Sequence, residues 1–257
     1  MIKFAFIFGT LFPQPQPATP AAKPTPVLVQ KRVAAAPTAA EILSGVQKFY
    51  ASITHVNAKF RQEVVNATFG RSEKSDGTLW IQKPGKMRWD YYGKKKPVAV
   101  EKHFISNGAS LYVVDRPNKQ VIKKDLQKNL LPTAVTFLYG KGDLAADFTP
   151  ELDKSSTFGA KTDHVLKLTP KAPSAQYKHL YLVVDPATFK VKESIIIDSA
   201  NNKNHFKFYE LNTKATVKDE WFEFNEKSPM VKNYRIVDGD APQKTPAQTP
   251  PPAKAVP

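Results

Sequence analysis

The chain contains no cysteine. That excludes disulfides, thiolate zinc sites, a cysteine nucleophile and a lipid-bearing cysteine from this sequence, and it leaves the redox compartment undetermined. Recognisable catalytic motifs are missing too. The five histidines, His55, His103, His164, His179 and His205, form no HxxxH or HExxH pair, and each falls in a stretch that reads as strand. Gly140-Lys141-Gly142-Asp143 has neither the leading glycine spacing nor the GK[ST] ending of a phosphate-binding loop. There is no G-x-S-x-G elbow. Neither an enzyme, nor a metal site, nor a cofactor has support here.

What is present is positive charge, proline and aromatic residues. The 257 residues carry 38 Lys+Arg against 23 Asp+Glu, a net charge of +15. Such an excess suits nucleic acid, an anionic membrane surface or an acidic partner. Residues 1–38 hold +4 and residues 239–257 hold +1, which leaves +10 for the stretch between. Residues 1–12 are expected to be a signal segment, because Phe4–Phe12 is a nine-residue apolar run behind Lys3, too short to span a bilayer. Residues 13–38 and 239–257 are Pro-rich and read as a disordered linker and tail. The folded domain is expected over 39–238.

The domain opens with a helical stretch, AAEILSGVQKFYAS, in which Ile42, Val46 and Tyr50 recur at i, i+4 and i+8 behind Thr38 as N-cap. The period then switches to two. HVNAKFRQEVV, GTLWIQK, KMRWDYY, PVAVEKHFI, ASLYVVD and KQVIKK read as strands separated by turns such as Asn107-Gly108. A second helical island covers DLQKNLLPTAVTFLYGKGDLAADF, with Leu131, Val135 and Leu138 as its apolar stripe. HVLKLTP, YKHLYLVVD, KVKESIIID, KNHFKFYELN and WFEFN resume the strands. The fold class is mainly β with short helices (α+β): about ten or eleven strands, mostly sequential hairpins, in one antiparallel sheet large enough to curl. The helices are too few to form a full layer and read as a plug or lid.

The densest signal is GTLWIQKPGKMRWDYY, residues 77–92. A two-residue turn at Pro84-Gly85 pairs Trp80 with Trp89 and Gln82 with Met87, which puts Trp80, Met87, Trp89 and Tyr91 on one face. Lys86, Arg88 and Asp90 take the other. Cations and aromatics are thus segregated, which argues against a nucleic-acid stacking platform. The basic face suits solvent or an acidic partner. The aromatic face is either ordinary barrel or sandwich core, or the wall of a cavity for a flexible apolar ligand.

Taken together, GTLWIQKPGKMRWDYY, ISNGASLYVVD, KQVIK and LLPTAVTFLYGKGDLAADF, with HVLKLTPK and the late WFEF, resemble the periplasmic outer-membrane lipoprotein carriers, the LolA-type family. The likeness runs over about 39–238 and is densest over 77–147. It implies an incomplete, curved antiparallel barrel closed by a helical lid around a cavity for lipoprotein acyl chains. Trp80, Met87, Trp89, Tyr91, Phe60, Leu111 and Val113 then belong to the acyl-chain wall, and Ile42, Val46, Phe49, Leu131, Val135 and Leu138 to the lid. It further implies a monomer in the periplasm. Its partners would be acylated lipoproteins, an inner-membrane lipoprotein-releasing ABC transporter and an outer-membrane acceptor lipoprotein or membrane, with no nucleic acid. A same-fold periplasmic sensor or lipid-binding protein with another apolar ligand is the alternative. Two departures stand out. Family members often carry Arg before the proline as a lid latch; here Lys83 occupies that position and lacks the planar multi-donor fork. The two-residue turn also places Lys83 on the face opposite Trp89. Near the end, Ser228-Pro229-Met230 stands where P-x-G is expected. The related outer-membrane receptor needs an N-terminal Cys, so its anchored role does not fit this sequence.

Overall fold

The computed structural model describes residues 36–94, 99–126, 143–173 and 177–241. Leu131, Val135 and Leu138, expected on the lid, lie outside the described residues, as do most of the expected signal, linker and tail.

Helix α1 (Ala39–Ser52) begins where the sequence places it. The backbone N–H of Glu41 donates to Thr38 Oγ1 (3.2 Å), and the Thr38 N–H donates back to Glu41 Oε2 (2.8 Å). This reciprocal pair satisfies donors that the first helical turn would otherwise leave unpaired. Ile42, Leu43, Val46 and Tyr50 form the buried stripe. The C-terminal turn has no basic residue of its own and no glycine cap.

Twelve strands follow among the described residues: β1 (His55–Asn66), β2 (Arg71–Gln82), β3 (Lys86–Tyr92), β4 (Val100–Asn107), β5 (Ser110–Asp115), β6 (Gln120–Asp125), β7 (Phe148–Leu152), β8 (His164–Pro170), β9 (His179–Val184), β10 (Val191–Ile197), β11 (Lys203–Asn212) and β12 (Arg235–Asp238). A short helix, α2 (Leu144–Asp147), precedes β7. The strands make one sheet in the order β12-β6-β5-β4-β3-β2-β1-β11-β10-β9-β8-β7. Every pairing is antiparallel except that of β12 with β6.

Laid flat, a sheet of this many strands would be roughly 50 Å wide at about 4.8 Å per strand, whereas a 14-residue helix is about 21 Å long. Yet a single apolar cluster joins α1 to Phe148 of β7, to Phe60 of β1 and to Leu111 of β5. Helix α1 packs on β7 and β8 while its Tyr50 carbonyl accepts from Lys83 at the end of β2, six strands from β7 in the order, so the sheet rolls to bring both to one helix. The edge strands β7 and β12 do not pair, so the barrel is open.

The opposite, convex face is covered by irregular chain. Phe158 lies against Val165, Val183 and Ile195. Phe224 and Tyr234, in the segment before β12, pack on Tyr112, Val114 and Val121. Two sequence expectations change here. WFEFN is not a strand: Asp219–Phe222 is a 3-10 turn, with the Trp221 N–H donating to the Lys218 carbonyl (3.0 Å). The strand count also rises to twelve, because FTPEL and RIVD both pair.

Candidate functional site

The register of β2 with β3 decides which side chains meet. Gln82 pairs with Lys86, Ile81 with Met87, Leu79 with Trp89 and Gly77 with Tyr91. The turn therefore holds three residues, Lys83, Pro84 and Gly85, and the Lys83–Pro84 peptide is cis. Gly85 has φ +75°, a conformation that L side chains rarely adopt. An odd turn length shifts the parity of the hairpin. Met87, Trp89 and Tyr91 share the concave face as expected, but Trp80 does not. It pairs with Arg88 on the convex side, where its ring meets Trp221 edge-on at 5.8 Å.

The concave face at this level is a group of touching rings. Phe60 lies 5.0 Å from Trp89, 4.9 Å from Tyr91 and 6.1 Å from Phe206, and Trp89 lies 5.6 Å from Phe206. Tyr91 reaches Phe104 (5.5 Å), and Phe206 stacks on Phe208 (6.2 Å). Gly77 makes room for this: a Cβ there would sit 2.5 Å from Phe60 Cζ and 2.2 Å from the Asp90 carbonyl oxygen. Leu111 and Met87 are buried in the same cluster, and Val113 packs against it. Burial pushes the Tyr91 phenol well above its ordinary range. From sequence, the contribution of β11 through Phe206 and Phe208 went unassigned, although HFKFYEL alternates strictly enough to have shown it.

Helix α1 contributes Ile42, Val46 and Tyr50 to this cluster, with Phe49 packed on its margin. Its C-terminal end is held from the β2–β3 turn. Lys83 Nζ donates to the Tyr50 carbonyl, and the Lys83 backbone N–H donates to the Thr54 carbonyl (2.9 Å). The three-residue turn thus removes the geometric objection to Lys83 as a tether. A cation at a helix C-terminus also meets the negative end of its dipole. Burial lowers the Lys83 pKa from its ordinary value. Tyr50 in turn accepts a hydrogen bond at its hydroxyl from the Val191 N–H (3.2 Å), and burial pushes its phenol strongly upward. Gln47 Nε2 donates to Asp143 Oδ1 (2.8 Å), joining α1 to the start of α2.

The basic convex face already has an acidic partner, the chain's own C-terminal segment. Asp219 accepts from Lys86 Nζ (2.8 Å) and Gln82 Nε2 (2.9 Å), and Arg88 donates to the Trp221 carbonyl (3.3 Å). Beside them lies a buried network that sequence reading missed: Asp90 Oδ1 is 2.7 Å from His103 Nδ1 and accepts from Arg88 Nε (2.9 Å). Burial pushes the Asp90 carboxyl up, but the hydrogen bonds from His103 and Arg88 outweigh it and hold the pKa below the ordinary value. Asp90 and His103 are direct cross-strand partners, so a correct β3–β4 register would have revealed them. Among the described residues no cluster of His, Asp and Glu could hold a metal ion, and no helix is long and apolar enough to cross a membrane.

Among the described residues, an open, rolled sheet with an apolar aromatic face and the tethered helix α1 packed within the roll form a half-barrel fold. The chain belongs to the LolA family of outer membrane lipoprotein carrier proteins, whose sequence pattern matches residues 51–225. Proteins of this family are carriers, not enzymes. The chain is 26% identical to an outer-membrane lipoprotein carrier protein of Methylococcus capsulatus, over 71% of this chain and 82% of that one. It is 26% identical to the corresponding protein of Legionella pneumophila, over 73% and 86%. With that of Chromohalobacter salexigens it is 25% identical over 52% of this chain, and the match spans only 60% of the relative. A LolA superfamily protein from Nitrosomonas europaea is similar in structure, with TM-score 0.40 and 12% identity over 74% of this chain and 99% of that one.

Proposed function

We propose that the chain is a periplasmic carrier that takes lipoprotein acyl chains onto its concave face, between the ring cluster and α1. It receives them from an inner-membrane lipoprotein-releasing ABC transporter and yields them to an outer-membrane acceptor, acting as a monomer. The observation that carries this reading is the aromatic face of Phe60, Trp89, Tyr91 and Phe206, which shares one apolar cluster with a helix whose C-terminal end is tied down by Lys83.

Energetics favours such an arrangement. Each acyl methylene gains about 0.8 kcal/mol on leaving water, so an unescorted diacyl anchor does not cross an aqueous space. The rings touch one another, so an arriving chain must part them. Each aromatic pair contributes only about 0.5–1.5 kcal/mol beyond its burial, which two or so methylenes replace. The carrier need not bind with the whole transfer energy. Differences of about 1.4 kcal/mol are tenfold preferences, enough to set direction between donor and acceptor.

The test mixes the purified protein with membranes bearing lipoproteins and assays what becomes soluble. Met87→Glu and Trp89→Glu are expected to abolish release while the circular-dichroism spectrum stays β-like. Trp80→Glu, on the convex face, is expected to leave release largely intact. Full release by the Met87 and Trp89 variants would remove the concave face as the binding surface.

A further inference from the structure

On five neighbouring strands, the residues facing the ring cluster become more exposed in one direction. Along β1, Val56, Ala58 and Phe60 are buried, Gln62 is half-buried and Val64 is 41% exposed. Along β2, Ile81, Leu79 and Gly77 are buried, Ser75 is half-buried and Glu73 is exposed. Met87 and Trp89 give way to half-buried Tyr91 on β3, Ser106 to Phe104 and Lys102 on β4, and Phe208 and Phe206 to Asn204 on β11. All these progressions run toward the β1–β2 turn. The concave face therefore opens at that end.

The change from apolar to polar falls just above the rings. Gln62 pairs with Ser75 across β1 and β2 and with Phe206 across β1 and β11. Its Nε2 donates to Asn204 Oδ1 at 2.8 Å, which fixes both amides in place. That bond leaves the second Gln62 Nε2 hydrogen, the Asn204 amide hydrogens and the Ser75 hydroxyl without a hydrogen-bond partner among the described residues. A half-buried row with unused donors directly above a purely apolar floor matches an amphiphile at its junction: hydrocarbon below, carbonyl oxygens at the amide and hydroxyl level.

We propose that Gln62, Ser75 and Asn204 hold the ester and amide carbonyls through which acyl chains join their headgroup. This deepens the acyl-chain reading and rests on it. Diacylglyceryl esters occur both in lipoproteins and in phospholipids, so the shared chemistry is the carbonyl junction and the experiment separates the sources.

The probes are a synthetic tripalmitoylated cysteinyl peptide, its analogue with ether linkages in place of the esters, and a short-chain phosphatidylglycerol, each titrated against the full chain by calorimetry or tryptophan fluorescence. The ester peptide is expected to bind about tenfold tighter than the ether analogue, the size of one or two net hydrogen bonds. The double variant Q62L/N204L is expected to lose that preference while binding the ether analogue within twofold of wild type. Ser75→Ala, a change too small to disturb packing, moves the same way by a smaller factor. Ester-dependent binding of the peptide without the phospholipid identifies a lipoprotein as the source, whereas equal ester dependence for both identifies the diacylglyceryl unit. Equal wild-type affinity for the ester and ether peptides overturns the junction assignment and leaves the acyl-chain reading standing. Binding of neither overturns both.

Discussion

Replacing Lys83 by Met keeps the length and apolar stem of the side chain and removes only the ammonium, so it isolates the tether on α1. The lost interaction is a hydrogen bond from a charged donor, about 1.5–3 kcal/mol, plus the attraction of a cation to a helix C-terminus, about 0.3–1 kcal/mol. Part of this is returned, because the half-buried ammonium no longer has to be desolvated, the same burial that lowers its pKa. A net loss of about 2 kcal/mol remains, which raises the undocked population of α1 about 30-fold. Native-state hydrogen exchange reads this directly. Amides of Val46–Tyr50 should lose about 30-fold in protection while those of β1 to β3 keep theirs, because α1 opens locally without global unfolding. Lys83→Arg should restore protection, since its fork offers more donors to the same Tyr50 carbonyl. Unchanged protection in the Met variant would refute the tether, and an equal loss across the sheet would show that α1 and the sheet unfold as one unit.

Two further changes probe the packing and the buried charge. Gly77→Ala places a methyl against the Asp90 carbonyl and the Phe60 ring, and is expected to cost about 1–3 kcal/mol as overpacking, seen as a lower urea midpoint with an unchanged slope. Asp90 has a folded pKa held below its ordinary 3.8, so the unfolded chain binds more protons in that range. Its contribution is fully present above the ordinary value and is lost as pH falls through the folded one. A urea series from pH 6 to pH 2 should therefore show a shallower acid decline for Asp90→Asn than for wild type, although the variant is less stable at pH 6.

The sequence carries most of the sheet because period-two alternation survives in nearly every strand, and α1 because its stripe and its cap agree. Where it misleads, a local ambiguity controls a distant placement. Lys-Pro-Gly-Lys accommodates a turn of two or three residues. The difference of one moves Trp80 from the concave wall to the far side of the sheet and turns Lys83 toward the helix. WFEFN alternates like a strand, yet its aromatics are spent one by one, Trp221 on Trp80, Phe222 in the interior and Phe224 on Tyr112. FTPEL hides behind a helical pattern and carries Pro150, which an edge strand tolerates. The Arg88–Asp90–His103 network is legible only once β3 and β4 are in register.

The two faces of the sheet are fastened by different chemistry, and that difference bears on what can move. On the convex side the C-terminal segment packs Trp221, Phe224 and Tyr234 on the sheet and adds a set of polar and charged contacts: Asp219 with Lys86 and Gln82, Glu226 with Lys123 and Tyr112, Arg88 with the Trp221 carbonyl, and the ladder of β12 on β6. A hydrocarbon chain offers nothing in exchange for these polar contacts. On the concave side α1 is held mostly by apolar side chains, with Lys83, Gln47 and the Tyr50 hydroxyl among its polar fastenings. On the proposed carrier reading, an acyl chain would replace apolar contacts in kind, so once the polar bonds open, exchanging α1 for ligand would cost little net burial. If acyl chains displace α1 as proposed, a tether with a single ammonium is sufficient. A stronger one would have to be broken by the ligand at each loading, and would shift the preference between carrier and acceptor by the same amount.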